Sequence, residues 1–155
     1  MDSLWTRPLQ VLVAACSAVF VLGTAAQAFL VIGPDMVEHA MRLSGRSAQQ
    51  AVAEAPALVT TLRTVGVCYL VGNALGLLAL TGRTWTFWCA LAVNASQAAG
   101  VVAGMVPWVV LRASVDLYGP LGAAPTIVTD GGAALLALTM IGFLLRRRVL
   151  KGAAQ

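Results

Sequence analysis

Uncharged apolar stretches of membrane-spanning length are the feature that most restricts how this chain can fold. No charged residue occurs in the 23 positions from Val11 to Gly33. A helix of that length measures about 34 Å, which exceeds the roughly 30 Å thickness of the hydrocarbon layer of a bilayer. The first helix is therefore predicted to cross a membrane at about 11–33.

A secretory signal peptide is the alternative interpretation of this segment. Arg7, the apolar run and the triplet Ala26-Gln27-Ala28 together resemble a signal sequence with an A-x-A cleavage site. The apolar run continues beyond the triplet through residues 29–32. This continuation favours an anchor that remains uncleaved.

Three further apolar segments predict spans at about 62–80, 85–106 and 125–145. With 59% hydrophobic and only 10% charged residues, the chain has far fewer charges than a soluble domain carries. The sequence therefore predicts an all-α polytopic membrane protein. Its single membrane domain covers 1–155 and is expected to form an antiparallel four-transmembrane-helix bundle.

The segment between the first two spans is predicted to form a helical first extracytoplasmic loop. Asp35 is the expected N-cap of a short helix, with Glu38 completing a capping box and Gly45 ending the helix. Ser47 and Gln50 repeat the capping signature three residues apart. A second loop helix is therefore expected to begin at Ser47.

Prolines mark the other expected irregularities. Pro56 is expected to interrupt the second loop helix. Residues 108–128 mix apolar and polar positions, which predicts an interfacial or partly re-entrant turn. The fourth span is expected to begin near Pro125, because proline is tolerated in the first turn of a helix.

Small residues at helical spacing predict where the spans pack. Only Thr81-Gly82-Arg83-Thr84 links the second and third spans, so these two helices are expected to be antiparallel neighbours. In lipid, small residues along one helix face allow two backbones to approach closely. The predicted packing positions are Gly72, Gly76, Ser96, Gly100 and Gly104.

The basic residues predict the orientation in the membrane. One side would receive six of them and the other side four. Because Lys and Arg are enriched on the cytoplasmic side, both termini are predicted to be cytoplasmic in a multi-pass protein of the plasma membrane. The six are Arg7, Arg83, Arg146, Arg147, Arg148 and Lys151, and the four are Arg42, Arg46, Arg63 and Arg112.

The few polar residues within or beside the spans form the candidate site. Amides and charges buried in hydrocarbon need partners, so these side chains are predicted to face inward and to converge in the extracytoplasmic half of the bundle. The set comprises Gln27, Arg63, Asn73, Asn94, Gln97 and Asp130.

Two hypotheses account for this set. In the first, the amides are hydrogen-bond links between helices and Asp130 orients the start of the fourth span. In the second, the residues line a small outward-facing cavity for a polar head group or small amphiphile, with Arg63 and Asp130 as charged anchors. The sequence leaves both hypotheses open.

Common motifs of enzymes and cofactor sites do not occur in the sequence. His39 is the single histidine and has no cysteine or carboxylate set at metal-ligand spacing, so no metal site is predicted. Neither a G-x-S-x-G motif nor a P-loop occurs, and the three cysteines are widely spaced within apolar segments. We expect no catalytic residue, no cofactor and no nucleic-acid partner.

One stretch of the second span carries a family resemblance. Leu62-Arg63-x-x-Gly66 followed by Tyr69-Leu70-x-Gly72, with a leucine-rich run and a tight turn into an aromatic-led helix, resembles the DoxX-like group of small four-helix membrane proteins. The resemblance covers about 45 residues. It implies an antiparallel bundle and an accessory role, in some members linked to redox or quinone-dependent systems, with a part for Arg63.

The expected function is that of a binding or accessory component in the lipid bilayer. Its expected partners are a small amphiphilic ligand and further copies of itself or a larger membrane complex. The alternatives are a membrane-embedded enzyme or quinone-linked redox accessory, and a small proton-coupled transporter. The transporter alternative depends on Asp130, which is the only acid within the predicted spans.

Overall fold

The computed structural model describes residues 4–102 and 108–152 of the chain. Of the described residues 91% are helical and none lies in a strand, which confirms the all-α class. The predicted packing position Gly104 lies outside the described residues.

Seven α-helices follow one another along the described chain. α1 covers Arg7–Ala26 and continues as a π turn over Gln27–Val31, α2 covers Pro34–Leu43, and α3 covers Ala48–Gly76 and continues as a 3-10 turn over Leu77–Thr81. α4 covers Thr84–Val102, α5 covers Trp108–Tyr118, α6 covers Pro120–Thr126 with a second π turn over Ile127–Gly131, and α7 covers Gly132–Gly152.

Three of the described helical segments are long and apolar enough to cross a membrane: Arg7–Val31, Ala48–Thr81 and Pro120–Arg147. Large apolar side chains on these segments point outward, among them Leu22 and Leu30, which are 72% and 76% exposed. Such exposure is costly in water and suits contact with lipid tails. The fourth predicted span, at 85–106, corresponds to α4 and is not among the three.

α3 is longer than a bilayer is thick. With its 3-10 turn it has 34 residues, or about 50 Å of helix, so roughly 20 Å would extend beyond the hydrocarbon layer. α2 packs against this extension and α5 packs against α2, and we call α2, α5 and residues 48–61 of α3 the lobe. Its buried apolar cluster comprises Ile32, Met36, Val37, Ala40, Met41, Ala51, Ala55, Val59 and Ala113.

A second apolar cluster lies at the opposite end of the bundle, where α3 turns into α4. Gly82 has a φ of 69° there, the left-handed conformation in which a glycine commonly ends a helix. Trp5 Nε1 donates to Arg83 O at 2.8 Å, so the start of the chain is fixed to this turn. The cluster comprises Trp5, Leu9, Val13, Phe20, Ala79, Phe87, Ala90, Ala133, Leu136 and Met140.

The two predicted capping boxes of the lobe have different outcomes. Ser47 and Gln50 form theirs, with two reciprocal hydrogen bonds of 3.2 Å. The prediction that Asp35 is an N-cap is wrong: Gly33 is the N-cap and Pro34 begins α2. A proline has no N–H to leave unpaired and its φ is already helical, so the first helical position suits it.

The predicted interruption at Pro56 is also wrong, since α3 continues through it. A proline inside a helix costs about 3 kcal/mol. Ala51, Ala55 and Val59, on the same face of α3, are each less than 10% exposed in the lobe cluster. Burial of this face offsets the cost of the proline.

The last long helical segment begins earlier than predicted. Its first helix starts at Pro120, directly after Gly119, whose φ is 67°. Pro125 lies inside α6 rather than in a first turn, and the second π turn follows it. A proline removes one intrahelical hydrogen bond, which explains why the regular helix gives way to a π turn at this point. The preceding segment, predicted as an interfacial or re-entrant turn, contains the regular helix α5.

Candidate functional site

A cavity of about 340 Å³ lies between the lobe and the second apolar cluster. Residues of α1, α3, α4 and both π turns line it. Leu58, Leu62 and Val65 belong to its apolar wall along α3. The polar groups that reach it from the other segments are Thr24, Gln27, Gln97 and Asp130.

Three of the predicted site residues form one hydrogen-bonded chain. Asn73 Nδ2 donates to Gln97 Oε1 at 3.3 Å, and Gln97 Nε2 donates to Asp130 Oδ1 at 3.0 Å. Asn73 Nδ2 also donates to Thr24 Oγ1 at 3.5 Å. Because these residues lie on α1, α3, α4 and the second π turn, the chain connects the four long segments of the bundle.

The carboxyl group of Asp130 is satisfied on one side only. Its Oδ1 accepts a hydrogen bond from Gln97 Nε2. The Thr129 hydroxyl lies 3.3 Å from the same oxygen and makes its shorter hydrogen bond, of 2.9 Å, to Pro125 O. Among the described residues, no donor contacts Oδ2 and no basic side chain lies within 4 Å of the carboxyl group. Since Asp130 lines the cavity, a bound molecule can contact this oxygen.

Arg63 is engaged elsewhere. Its Nε donates to Ala28 O at 3.1 Å and to Ile32 O at 3.3 Å, and its Nη2 donates to Ile32 O at 3.0 Å. Carbonyls at a helix end have no partner within the helix, so this guanidinium group caps the end of the first π turn. Arg63 therefore joins α1 to α3 and forms no ion pair with Asp130.

The remaining predicted site residues differ in position. Gln27 lines the cavity, and no hydrogen bond of its side chain to another described residue is formed. Asn94 is buried, but its Nδ2 donates at 2.8 Å to Ala90 O of its own helix, away from the cavity lining. Gln27, Gln97 and Asp130 thus line the cavity, Asn73 supports them, and Asn94 and Arg63 lie outside it.

The predicted packing positions have different surroundings in the structure. A Cβ built at Gly72 lies 3.0 Å from Val93 Cγ2 of α4, and one built at Gly76 lies 2.9 Å from a Cβ atom of α1. Ser96 is exposed. No described atom lies within 4 Å of a Cβ built at Gly100, which lines the cavity. Gly72 and Gly76 therefore lie at helix contacts, whereas Gly100 contributes open space.

Three polar residues of the cavity lining, Thr24, Thr61 and Tyr69, were not predicted as site residues. Thr24 precedes Gln27 by three residues, so both lie on the same face of α1, and this spacing is the signal that identifies it. Tyr69 is part of the family resemblance but was not predicted to line a site, because a single tyrosine in an apolar span has no distinguishing pattern.

A second cavity, of about 480 Å³, lies in the lobe and meets the first along α3. Leu58 and Thr61 line both cavities. One face of α3 is formed by residues that recur three or four positions apart. They are Glu54, Leu58, Thr61, Val65 and Tyr69. This face extends for about 22 Å from the lobe to the polar groups of the first cavity.

Comparison with models of protein families, with curated proteins and with solved structures finds no match to this chain. The site is therefore interpreted from its own geometry.

Proposed function

We propose that this protein binds a small amphiphilic molecule in the cavity between α1, α3, α4 and the second π turn, as a binding or accessory component of the membrane. The observation that carries the proposal is an apolar-walled cavity that ends at a carboxyl group held by the Asn73–Gln97–Asp130 chain. A mostly apolar pocket with a few fixed polar groups is the usual form of a small-molecule site.

Hydrogen-bond links between helices do not account for the open volume beside them. Helix association in lipid depends on close packing, and an unfilled cavity forfeits van der Waals contacts. Gly100 and the half-buried Gln27 nevertheless border about 340 Å³ of space. This volume lies within the range of roughly 300–1,000 Å³ found for ligand pockets.

The proposed membrane arrangement has four spans, with α4 as the fourth. The 19 residues of α4 correspond to about 28 Å of helix, and none of them is charged. In this arrangement both termini are cytoplasmic, the lobe is extracytoplasmic, and the cavity opens toward the lobe. The DoxX-like resemblance, the oligomer, and the redox and transporter alternatives remain predictions from the sequence.

Cysteine labelling tests the orientation. In Ser44→Cys the new thiol lies at the exposed end of α2, and in Thr84→Cys it lies at the exposed start of α4. A membrane-impermeant maleimide added to intact cells is expected to label the first variant and to label the second only after permeabilisation. The unsubstituted protein gives the background from Cys16, Cys68 and Cys89. The opposite pattern would reverse the proposed topology.

Filling the cavity tests the proposed site. Gly100→Leu adds an isobutyl group where no described atom lies within 4 Å of the new Cβ. We expect it to weaken saturable binding of octan-1-ol to the protein in nanodiscs by about tenfold or more, because a well-filled pocket leaves no room for an alkyl chain. Equilibrium dialysis against empty nanodiscs, which correct for partition into lipid, measures this binding.

Gly142→Leu is the matched control for the cavity variant. Gly142 is exposed on α7, and a Cβ built there also meets no described atom within 4 Å. It therefore adds the same side chain to a spanning segment without entering the cavity. Equal octan-1-ol binding by the wild type and both variants would exclude this cavity as the binding site.

A further inference from the structure

We propose that the polar end of the ligand is a protonated amine and that Asp130 is its counter-ion. This inference rests on the proposed function and names the ligand class for the same cavity: an amphiphile with a cationic, hydrogen-bond-donating end and an apolar body.

The charges around the cavity are the first argument. Among the described residues that line it, none is Lys, Arg or His, and Asp130 is the only acid. The basic residue of α3 is Arg63, but its guanidinium group is bound to the carbonyls of Ala28 and Ile32. At 3.6 residues per turn, Arg63 also lies on the side of α3 opposite Thr61 and Val65. An ionised carboxylate in an apolar region needs a cation, and the described cavity lining supplies none.

The hydrogen-bond pattern is the second argument. Asp130 Oδ1 accepts a hydrogen bond from Gln97 Nε2 and has the Thr129 hydroxyl 3.3 Å away, whereas Oδ2 accepts none from the described residues. The other polar groups at this end include acceptors, the hydroxyl oxygen of Thr24 and the amide oxygen of Gln27. An ammonium group has three donors and no acceptor, so it matches a carboxylate with neighbouring acceptors. A carboxylate or phosphate head group would instead place like charges together.

The shape of the cavity is the third argument. The wall along α3 carries Leu58, Leu62 and Val65, which suit an alkyl chain rather than a compact polar molecule. The same face continues toward the lobe cavity through Leu58 and Thr61. An amine bound at Asp130 would therefore direct its apolar body along α3 toward the lobe.

Binding of three eight-carbon probes to the protein in nanodiscs tests the inference. The probes are radiolabelled octylammonium, octan-1-ol and octanoate at neutral pH, measured by equilibrium dialysis with empty nanodiscs as the blank. We expect octylammonium to bind about tenfold or more tightly than octan-1-ol, since double-mutant cycles on close charge pairs have given couplings of this size. Octanoate is expected to bind more weakly than octan-1-ol.

A conservative substitution assigns the effect to the carboxylate. Asp130→Asn keeps an oxygen that can accept from Gln97 and changes the volume little, but it removes the charge. We expect it to reduce octylammonium binding about tenfold or more and to abolish the preference for octylammonium over octan-1-ol. Asp35→Asn is the matched control, since Asp35 is an exposed acid in the first turn of α2, outside the cavity.

Each outcome decides the inference. Equal binding of octylammonium and octan-1-ol by the wild type would overturn the cationic ligand while leaving the cavity as a binding site. A loss of both probes in a folded Asp130→Asn variant would assign Asp130 a structural role and overturn the inference as well. If none of the three probes binds saturably to the protein beyond its partition into empty nanodiscs, the proposed function and the inference are both overturned. The comparison of octylammonium with octan-1-ol binding by the wild type tests the cationic ligand even if the Asp130→Asn variant does not fold.

Discussion

Gly76→Val is expected to lower the free energy of unfolding by about 1–3 kcal/mol, the usual cost of adding atoms to a close contact. A Cβ at Gly76 would lie 2.9 Å from Ser17 Cβ and also overlap Ser17 Oγ. Both residues are buried where α1 crosses α3, so neither helix can accommodate the added atoms without moving. Equilibrium unfolding in mixed micelles, followed by far-ultraviolet circular dichroism, measures the change.

Gly100→Val is the informative comparison, because the sequence assigns Gly100 the same packing role. No described atom lies within 4 Å of its added Cβ, and we expect a change of less than about 0.5 kcal/mol. Equal destabilisation by the two substitutions would contradict the helix contacts described for Gly76 and the open space described for Gly100.

These two glycines show what small-residue spacing can predict. Spacing by four residues identifies positions on one face of a helix, and Gly72 is one such position that lies close to Val93 of α4. The spacing does not identify what that face meets. Gly76 approaches α1 and Gly100 borders a cavity, because the partner of a helix face depends on how all the helices pack.

The lobe likewise contains one feature that is determined by local sequence and one that is determined by tertiary packing. The capping box of Ser47 and Gln50 was predictable, since its two hydrogen bonds join residues three apart. The continuity of α3 at Pro56 was not predictable from local sequence. It depends on the burial of Ala51 and Ala55 in the lobe cluster, where α2 packs against α3 from a separate part of the sequence.

The candidate site was predicted in part for a related reason. Counting residues along the spans gives depth in the membrane, and it placed Asn73, Gln97 and Asp130 close enough to join one hydrogen-bonded chain. The depth of a residue in the membrane does not tell toward which side of its helix the side chain points. Arg63 was therefore grouped with Asp130 as a charged anchor of one cavity, whereas its side chain caps the end of the first π turn.

Arg63→Met is expected to destabilise the fold by about 2–3 kcal/mol, because hydrogen bonds from a charged group are lost and buried carbonyls lose their donors. Methionine keeps much of the length and apolar surface of the arginine stem, so the change reports mainly on the guanidinium group. The same unfolding experiment measures it. Arg63→Lys is expected to retain part of the stability, since an ammonium group cannot reproduce the planar set of donors from Nε and Nη2.

Arg112→Met is the matched control for this substitution. Arg112 is 62% exposed and lies 3.9 Å from Asp116 on α5, and such surface ion pairs contribute less than about 1 kcal/mol. The cavity hypothesis in its original form makes Arg63 a ligand anchor, so it expects Arg63→Met to lose ligand binding while stability is kept. The hydrogen bonds to Ala28 and Ile32 predict the reverse for protein that remains folded: lower stability with octan-1-ol binding retained. Because the two roles shift different measurements, the variant distinguishes an arginine that holds the end of α1 from one that binds the ligand.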